Sequence, residues 1–97
     1  MARDIDMYAP PQSTGWSAWH TILNHLGTVV VDIDCSPTGS TQIYGQVRYW
    51  KGNGGGSQVT EMFIESTQIR TAQCVATVEI RLQGNPFGSQ VRVTVNP

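Results

Sequence analysis

The chain has 97 residues and a formal net charge of −1, and charged residues make up only 13% of it. This length fits one domain, and the charged fraction is about half that of an ordinary soluble domain. Lys51 is the only lysine and the chain has no basic stripe, which excludes nucleic-acid binding as a main role.

The first residues differ in character from the rest of the chain. The segment "MARDIDMYAPPQSTG" lacks the apolar core of a signal peptide, and no run approaches the roughly 18 apolar residues of a membrane helix. We therefore expect no membrane insertion. Residues 1–12, with their adjacent prolines, are predicted to form an arm along the surface or onto a neighbour. A single domain over residues 13–97 follows.

Residues 16–26 fit two patterns. Their large apolar side chains recur at helical spacing and Gly27 can end a helix, which favours one short N-terminal helix. Alternate residues from Trp16 to Ile22 equally fit an extended segment in a β-rich chain. Both interpretations stay open from the sequence alone.

Three runs alternate strictly enough to predict half-buried strands. In "TVVVDIDC", residues 28–35, the inward set contains Val29, Val31, Ile33 and Cys35, and Val30 is the exception on the polar side. In residues 71–82 the inward set is Ala72, Cys74, Ala76, Val78, Ile80 and Leu82. In residues 90–95 it is Val91, Val93 and Val95.

Turn residues suggest how these strands connect. "NPFG", residues 85–88, matches a type I turn, so residues 74–95 are predicted to form an antiparallel hairpin. Two further strands are predicted at "QIYGQVRYW", residues 42–50, and "QVTEMFIES", residues 58–66, on either side of a glycine-rich segment.

Short strands at this spacing predict an all-β fold, an antiparallel β-sandwich or small barrel of immunoglobulin-like or jelly-roll-like type. The order Cys35, Trp50, Cys74 is similar to that of an immunoglobulin domain. Ala72 stands where that fold has its corner tyrosine, so the resemblance extends to architecture only.

Cys35 and Cys74 share the inward parity of their predicted strands. A disulfide between them would close a loop of about 40 residues and contribute up to about 4 kcal/mol. The alternative is two reduced, buried thiols that pack as small apolar side chains.

Few residue patterns indicate chemistry. His20 and His25 lack partners at metal-ligand spacing, and no serine or cysteine has the context of a catalytic nucleophile. Asp32 and Asp34 are predicted to belong to a solvated strand face. We therefore expect no enzyme activity, no metal and no cofactor.

A polar and aromatic face is the candidate binding site. On the predicted strand at residues 42–50, the outward side carries Tyr44, Gln46, Arg48 and Trp50. Aromatic side chains beside hydrogen-bonding groups suit a protein interface or a sugar ring. Alternatively, residues 16–26 cover this face as a second layer.

Two functional hypotheses follow. In the first, the chain is a non-enzymatic structural or accessory protein of a larger assembly, such as a capsid decoration or tail component of a bacteriophage virion. Its partners are then other protein subunits, in a homo-oligomer or lattice, and it reaches the virion or another extracellular assembly without a signal peptide. In the second, it is a secreted carbohydrate- or surface-binding module whose leader was removed, with a glycan as partner.

Overall fold

Eight strands make up the protein in a computed structural model that describes residues 2–26, 29–50, 58–71 and 75–97. They form two antiparallel four-stranded sheets. The strands are β1 (Arg3–Ala9), β2 (His20–Leu26), β3 (Val30–Pro37), β4 (Gln42–Trp50), β5 (Gln58–Ile64), β6 (Ser66–Arg70), β7 (Val75–Asn85) and β8 (Ser89–Asn96).

The two sheets draw their strands from the whole chain. Sheet A has the order β1-β8-β3-β6, and sheet B has the order β2-β7-β4-β5. Of the eight strands that the structure describes, only β4 and β5 are neighbours both in sequence and in a sheet, and the other consecutive pairs lie in different sheets. In the described residues β1, β6, β2 and β5 are each paired on one side only. The predicted β-sandwich is therefore confirmed, and the closed-barrel alternative is wrong.

The inner faces of the sheets form the core, as the alternating runs predict. Apolar side chains at every second position of the central strands are buried. They include Val31, Ile33 and Cys35 on β3, Val78, Ile80 and Leu82 on β7, and Val91, Val93 and Val95 on β8. Val30 is exposed, as its parity predicts. Ala72 and Cys74 lie outside the described residues.

The helix interpretation of residues 16–26 is wrong. His20–Leu26 is strand β2, paired antiparallel with β7, and Ile22 is fully buried where the register shifts between Thr21 and Leu23. Pairing with β7 satisfies the backbone and buries apolar surface together, which overrides a weak helical pattern. Within the described ranges, no helix has the length and apolar character to span a membrane.

The N-terminal residues are not an arm. Arg3–Ala9 pairs with β8 along its whole length as an edge strand of sheet A. Met7 and Ala9 are buried, which joins this segment to the core. The signal missed in the sequence is the alternation of Ile5, Met7 and Ala9, which is short and interrupted by aspartates.

The predicted hairpin over residues 74–95 is also wrong. Strand β7 lies in sheet B and β8 in sheet A, so the two strands pair with others and not with each other. The connecting residues Pro86 and Phe87 form a bend and not the predicted type I turn, and the Asn85–Pro86 peptide bond is cis. Three residues suffice to cross the roughly 10 Å between packed sheets. Alternation shows which side of a strand is buried, but it does not identify the neighbouring strand.

The predicted strand at residues 58–66 is divided at Glu65. Its backbone has a φ of 63°, an uncommon left-handed conformation for a residue with a side chain. The Glu65 N–H donates to the Ile43 carbonyl of β4 at 3.0 Å, and its carbonyl accepts from the Cys35 N–H of β3 at 2.7 Å. Glu65 therefore links the two sheets where the chain passes from β5 to β6.

A charge on the inner face of β8 should unfold the protein. Val93 has no exposed surface and lies between β1 and β3, so we expect Val93→Asp to cost at least about 4 kcal/mol of the free energy of unfolding. Urea denaturation measures this cost. The control is Gln90→Asp, which adds the same charge at an exposed position of β8 and should change stability little. A folded, stable Val93→Asp variant would contradict the register of sheet A.

Candidate functional site

The candidate site lies on the outer face of sheet B. The four predicted residues all project from the outer side of β4 and are half-buried: Tyr44, Gln46, Arg48 and Trp50. The residues between them belong to the core, including Val47 and Tyr49. The predicted parity of this strand is therefore confirmed, and whether the face binds a partner stays a prediction.

Neighbouring strands hold the polar groups of this face in place. Arg48 Nε donates to Glu79 Oε1 on β7 at 2.8 Å, and Arg81 Nε donates to Gln46 Oε1 at 2.6 Å. Both pairs are direct cross-strand partners in the register of β4 and β7. Because each charged side chain already has a partner, the face is fixed in shape before anything binds.

Two tryptophans that precede β2 extend over the arginines. The Trp19 ring centre lies 4.2 Å from the Arg48 guanidinium carbon and 4.7 Å from that of Arg81. Arg81 also lies 5.1 Å from the centre of the Trp16 ring. These distances are typical of cation–π contacts. We call Trp16, Trp19, Arg48 and Arg81 the tryptophan–arginine stack.

A backbone contact positions this stack. The Ser17 N–H donates to the Leu82 carbonyl at 3.0 Å, and the Leu82 N–H donates to Ser17 Oγ at 2.9 Å. The segment before β2 therefore runs along the edge of β7, with Trp16 and Trp19 on either side of the anchored serine. This agrees in part with the second-layer alternative, because the contacts reach Arg48 and Arg81.

The opposite side of the same face is apolar and exposed. Met62 and Ile64 on β5 are 65% and 55% exposed, and Tyr44 is the direct cross-strand neighbour of Ile64. We call Tyr44, Met62 and Ile64 the β5 apolar patch. Sequence analysis missed Met62 and Ile64 because the alternation of β5 is weak.

Phe63, between the two exposed residues, points inward and anchors β5. Its ring lies against Gly45 on β4, where a Cβ atom would overlap the ring. A second contact joins the same two strands, because the hydroxyl of the buried Tyr49 on β4 donates to Glu61 Oε1 on β5. Burial, and then this hydrogen bond, raise the pKa of Tyr49 above its ordinary value. Strand β5 is thus held to β4, while its other edge pairs with no strand among the described residues.

The other candidates in the sequence are the histidines and aspartates considered for metal binding or acid–base chemistry. No group of three or more histidine, cysteine, aspartate or glutamate residues within the described ranges can hold a metal ion. Asp32 and Asp34 are exposed on the outer side of sheet A, and Asp32 accepts a hydrogen bond from Gln68 Nε2 at 2.7 Å. His20 is exposed.

The described residues do not test the predicted disulfide between Cys35 and Cys74. Cys35 is buried and has no disulfide partner within the described ranges, and Cys74 lies outside them. The disulfide therefore stays a prediction.

No protein-family model, curated protein or solved structure matches the chain.

The two tryptophans should differ in their contribution to stability. Trp19 contacts two guanidinium groups and Trp16 contacts one, so Trp19→Ala should lower the free energy of unfolding by about 1 kcal/mol more than Trp16→Ala. Urea denaturation of both variants measures the difference. Equal losses would show that the contacts with Arg48 add nothing.

Cys35 should resist alkylation in the folded protein. Burial, with Asp34 and Glu65 nearby, raises the pKa of its thiol from 9.0 to about 12, which leaves roughly a thousandfold less thiolate near pH 8. Because the pKa of this thiol is higher in the folded than in the unfolded protein, the free energy of unfolding falls as the pH rises above 9.0. Iodoacetamide labelling of a Cys74→Ser variant, followed by mass spectrometry with and without urea, measures the protection. Rapid labelling without urea would contradict the burial of Cys35.

Proposed function

We propose that the protein is a non-enzymatic structural or accessory subunit of a larger assembly, such as a bacteriophage virion, and that copies of it join through strand β5. The observation that carries the proposal is the β5 apolar patch beside an edge of β5 that pairs with no described strand. We place the protein in the virion or a comparable extracellular assembly.

The patch has the composition of an interface. Methionine and aromatic side chains are enriched where proteins meet, and large exposed apolar side chains side by side on a rigid sheet favour burial against a partner. Met62 and Ile64 lie on one side of β5, two residues apart, so a partner can cover both at once. Beside them, the Tyr44 hydroxyl donates a hydrogen bond to Gln42 Oε1 at 3.0 Å.

A second copy of the chain suits the edge of β5. Unpaired backbone N–H and C=O groups at a sheet edge are a template for another strand. Two copies of β5 can pair antiparallel around a twofold axis. When outward residues of one copy lie opposite outward residues of the other, all of them project from the same face of the joined sheet. The two apolar patches then merge into one surface.

Glu61 selects the register of such a contact. It has inward parity on β5, so a contact centred on Glu61 would place two carboxylates opposite each other. A contact centred on Met62 instead places Glu61 opposite Phe63 of the other copy and Met62 opposite Met62. The net charge of −1 opposes association little.

The saccharide-binding alternative has less support on this face. A sugar ring needs an uncovered aromatic surface, and Trp19 already stacks with Arg48 and Arg81. The face therefore favours contact through β5 over ligand binding at the tryptophans.

Removal of the apolar patch should abolish self-association. We expect the unmodified protein to form a symmetric oligomer and the double variant Met62→Ser/Ile64→Ser to be monomeric, with a nearly unchanged thermal midpoint because both side chains are mostly exposed. Sedimentation velocity over a range of concentrations, with native mass spectrometry, measures the oligomeric state.

Phe87→Ser is the matched control, because Phe87 is an exposed apolar residue, 71% exposed, that belongs to the connection between β7 and β8 and not to β5. It should leave association unchanged. An unmodified protein that stays monomeric at all concentrations, or a double variant that still associates, would contradict the proposal.

A further inference from the structure

The outer face of sheet A contains a shallow cavity of about 520 Å³ that is open to solvent. Its lining includes five exposed polar side chains and Val91, whose own side chain is buried in the core: Asp6, Ser36, Thr38, Gln90 and Arg92 are the polar ones. It lies on the opposite side of the sandwich from the β5 apolar patch.

Strand register explains why these side chains converge. Arg92 on β8 pairs with Asp6 on β1 and with Ser36 on β3, which places the three in one row across sheet A. Gln90, two residues earlier on β8, pairs with Tyr8 and begins the next row. Adjacent strands are about 4.8 Å apart, so a ligand the size of a sugar ring can touch both rows.

Thr38 closes the second row and is held in place by β8. Its backbone N–H donates to the Gln90 carbonyl at 3.1 Å and lies 3.3 Å from Ser89 Oγ. The Thr38 and Ser89 hydroxyl oxygens are 3.4 Å apart. One rim of the cavity is therefore set by the fold before a ligand arrives.

The charges of the cavity favour a neutral ligand. Asp6 Oδ1 and Arg92 Nε are 3.8 Å apart, and the two side chains are 80% and 65% exposed. So long and exposed an ion pair contributes little to stability, and both groups remain accessible. Asp6 opposes binding of an anion and Arg92 opposes binding of a cation. A ligand with neighbouring hydroxyl groups satisfies both, because each hydroxyl both donates and accepts a hydrogen bond.

An aromatic ring lies next to one lining residue but does not itself line the cavity. Tyr8 is half exposed on the outer side of β1 beside Gln90, and a Cβ atom added at Gly88 would overlap its hydroxyl. Only glycine at position 88 leaves room for this placement of the ring. The ring is therefore a neighbouring apolar surface for a sugar that extends beyond the cavity.

We propose that this cavity binds a saccharide, with Asp6, Gln90 and Arg92 hydrogen-bonded to ring hydroxyls. The site does not depend on the proposed assembly contact, because it lies on the other sheet and uses none of its residues. A subunit of this kind would join copies of itself with one sheet and hold a glycan with the other.

Nuclear magnetic resonance titration tests the proposal. The ¹⁵N-labelled full chain is titrated with glucose, galactose, mannose and N-acetylglucosamine, each at millimolar concentration. We expect at least one sugar to shift the amide signals of Asp6, Gln90 and Arg92 in a saturable way. Asp6→Asn and Arg92→Gln should each raise the Kd for that sugar roughly tenfold, because each removes hydrogen bonds to a charged group.

Asp32→Asn is the matched control, since it makes the same change on the same sheet outside the cavity. It should leave the sugar affinity unchanged. The proposal is overturned if no sugar in the panel shifts these signals, if the shifts map to sheet B, or if Asp6→Asn and Arg92→Gln bind as the unmodified chain does. Sedimentation velocity on the same variants measures their self-association, so a failure of sugar binding can be distinguished from a failure of the assembly contact.

Discussion

The packing of two sheets through one apolar side each is the constraint on which the rest of the structure depends. Every central strand buries alternate residues, such as Val47 on β4 and Val93 on β8, and so presents the residues between them to the outside. The outer faces are thereby free to differ. Sheet B presents aromatic, cationic and apolar groups, and sheet A presents carboxylates, amides and hydroxyls. Both proposed binding surfaces follow from this division.

Local alternation predicted burial well and strand pairing poorly. The central strands β3, β4, β7 and β8 have one buried side, so their period of two is plain in the sequence. The edge strands β1 and β6 were missed, and β2 stayed ambiguous, because an edge strand needs fewer apolar residues. Pairing depends on contacts between distant segments, such as β1 with β8, and no local pattern in the chain specifies them.

The same distinction applies to the candidate site. Tyr44, Gln46, Arg48 and Trp50 could be assigned to one face because they share a strand and a parity. The contribution of Trp16 and Trp19 could not, because it depends on the anchoring of Ser17 beside Leu82, 65 residues away. The row of Asp6, Arg92 and Ser36 likewise combines three segments that only the register of sheet A brings together. Surfaces built from one strand are readable in a sequence, and surfaces built across strands require the fold.

The passage of nearly every connection from one sheet to the other also bears on how the chain folds. Only β4 and β5 can form early as a local hairpin, while the other strands must wait for partners far along the sequence. Closing such long loops costs entropy before the contacts compensate for it, and chains of this topology fold in milliseconds to seconds. During that interval the apolar sides of β7 and β8 lack their partners. Where the transition state keeps little of the native strand pairing, most of that pairing must break before the protein unfolds, so unfolding is slow as well. The folded lifetime of such a sandwich is then longer than its equilibrium stability alone implies.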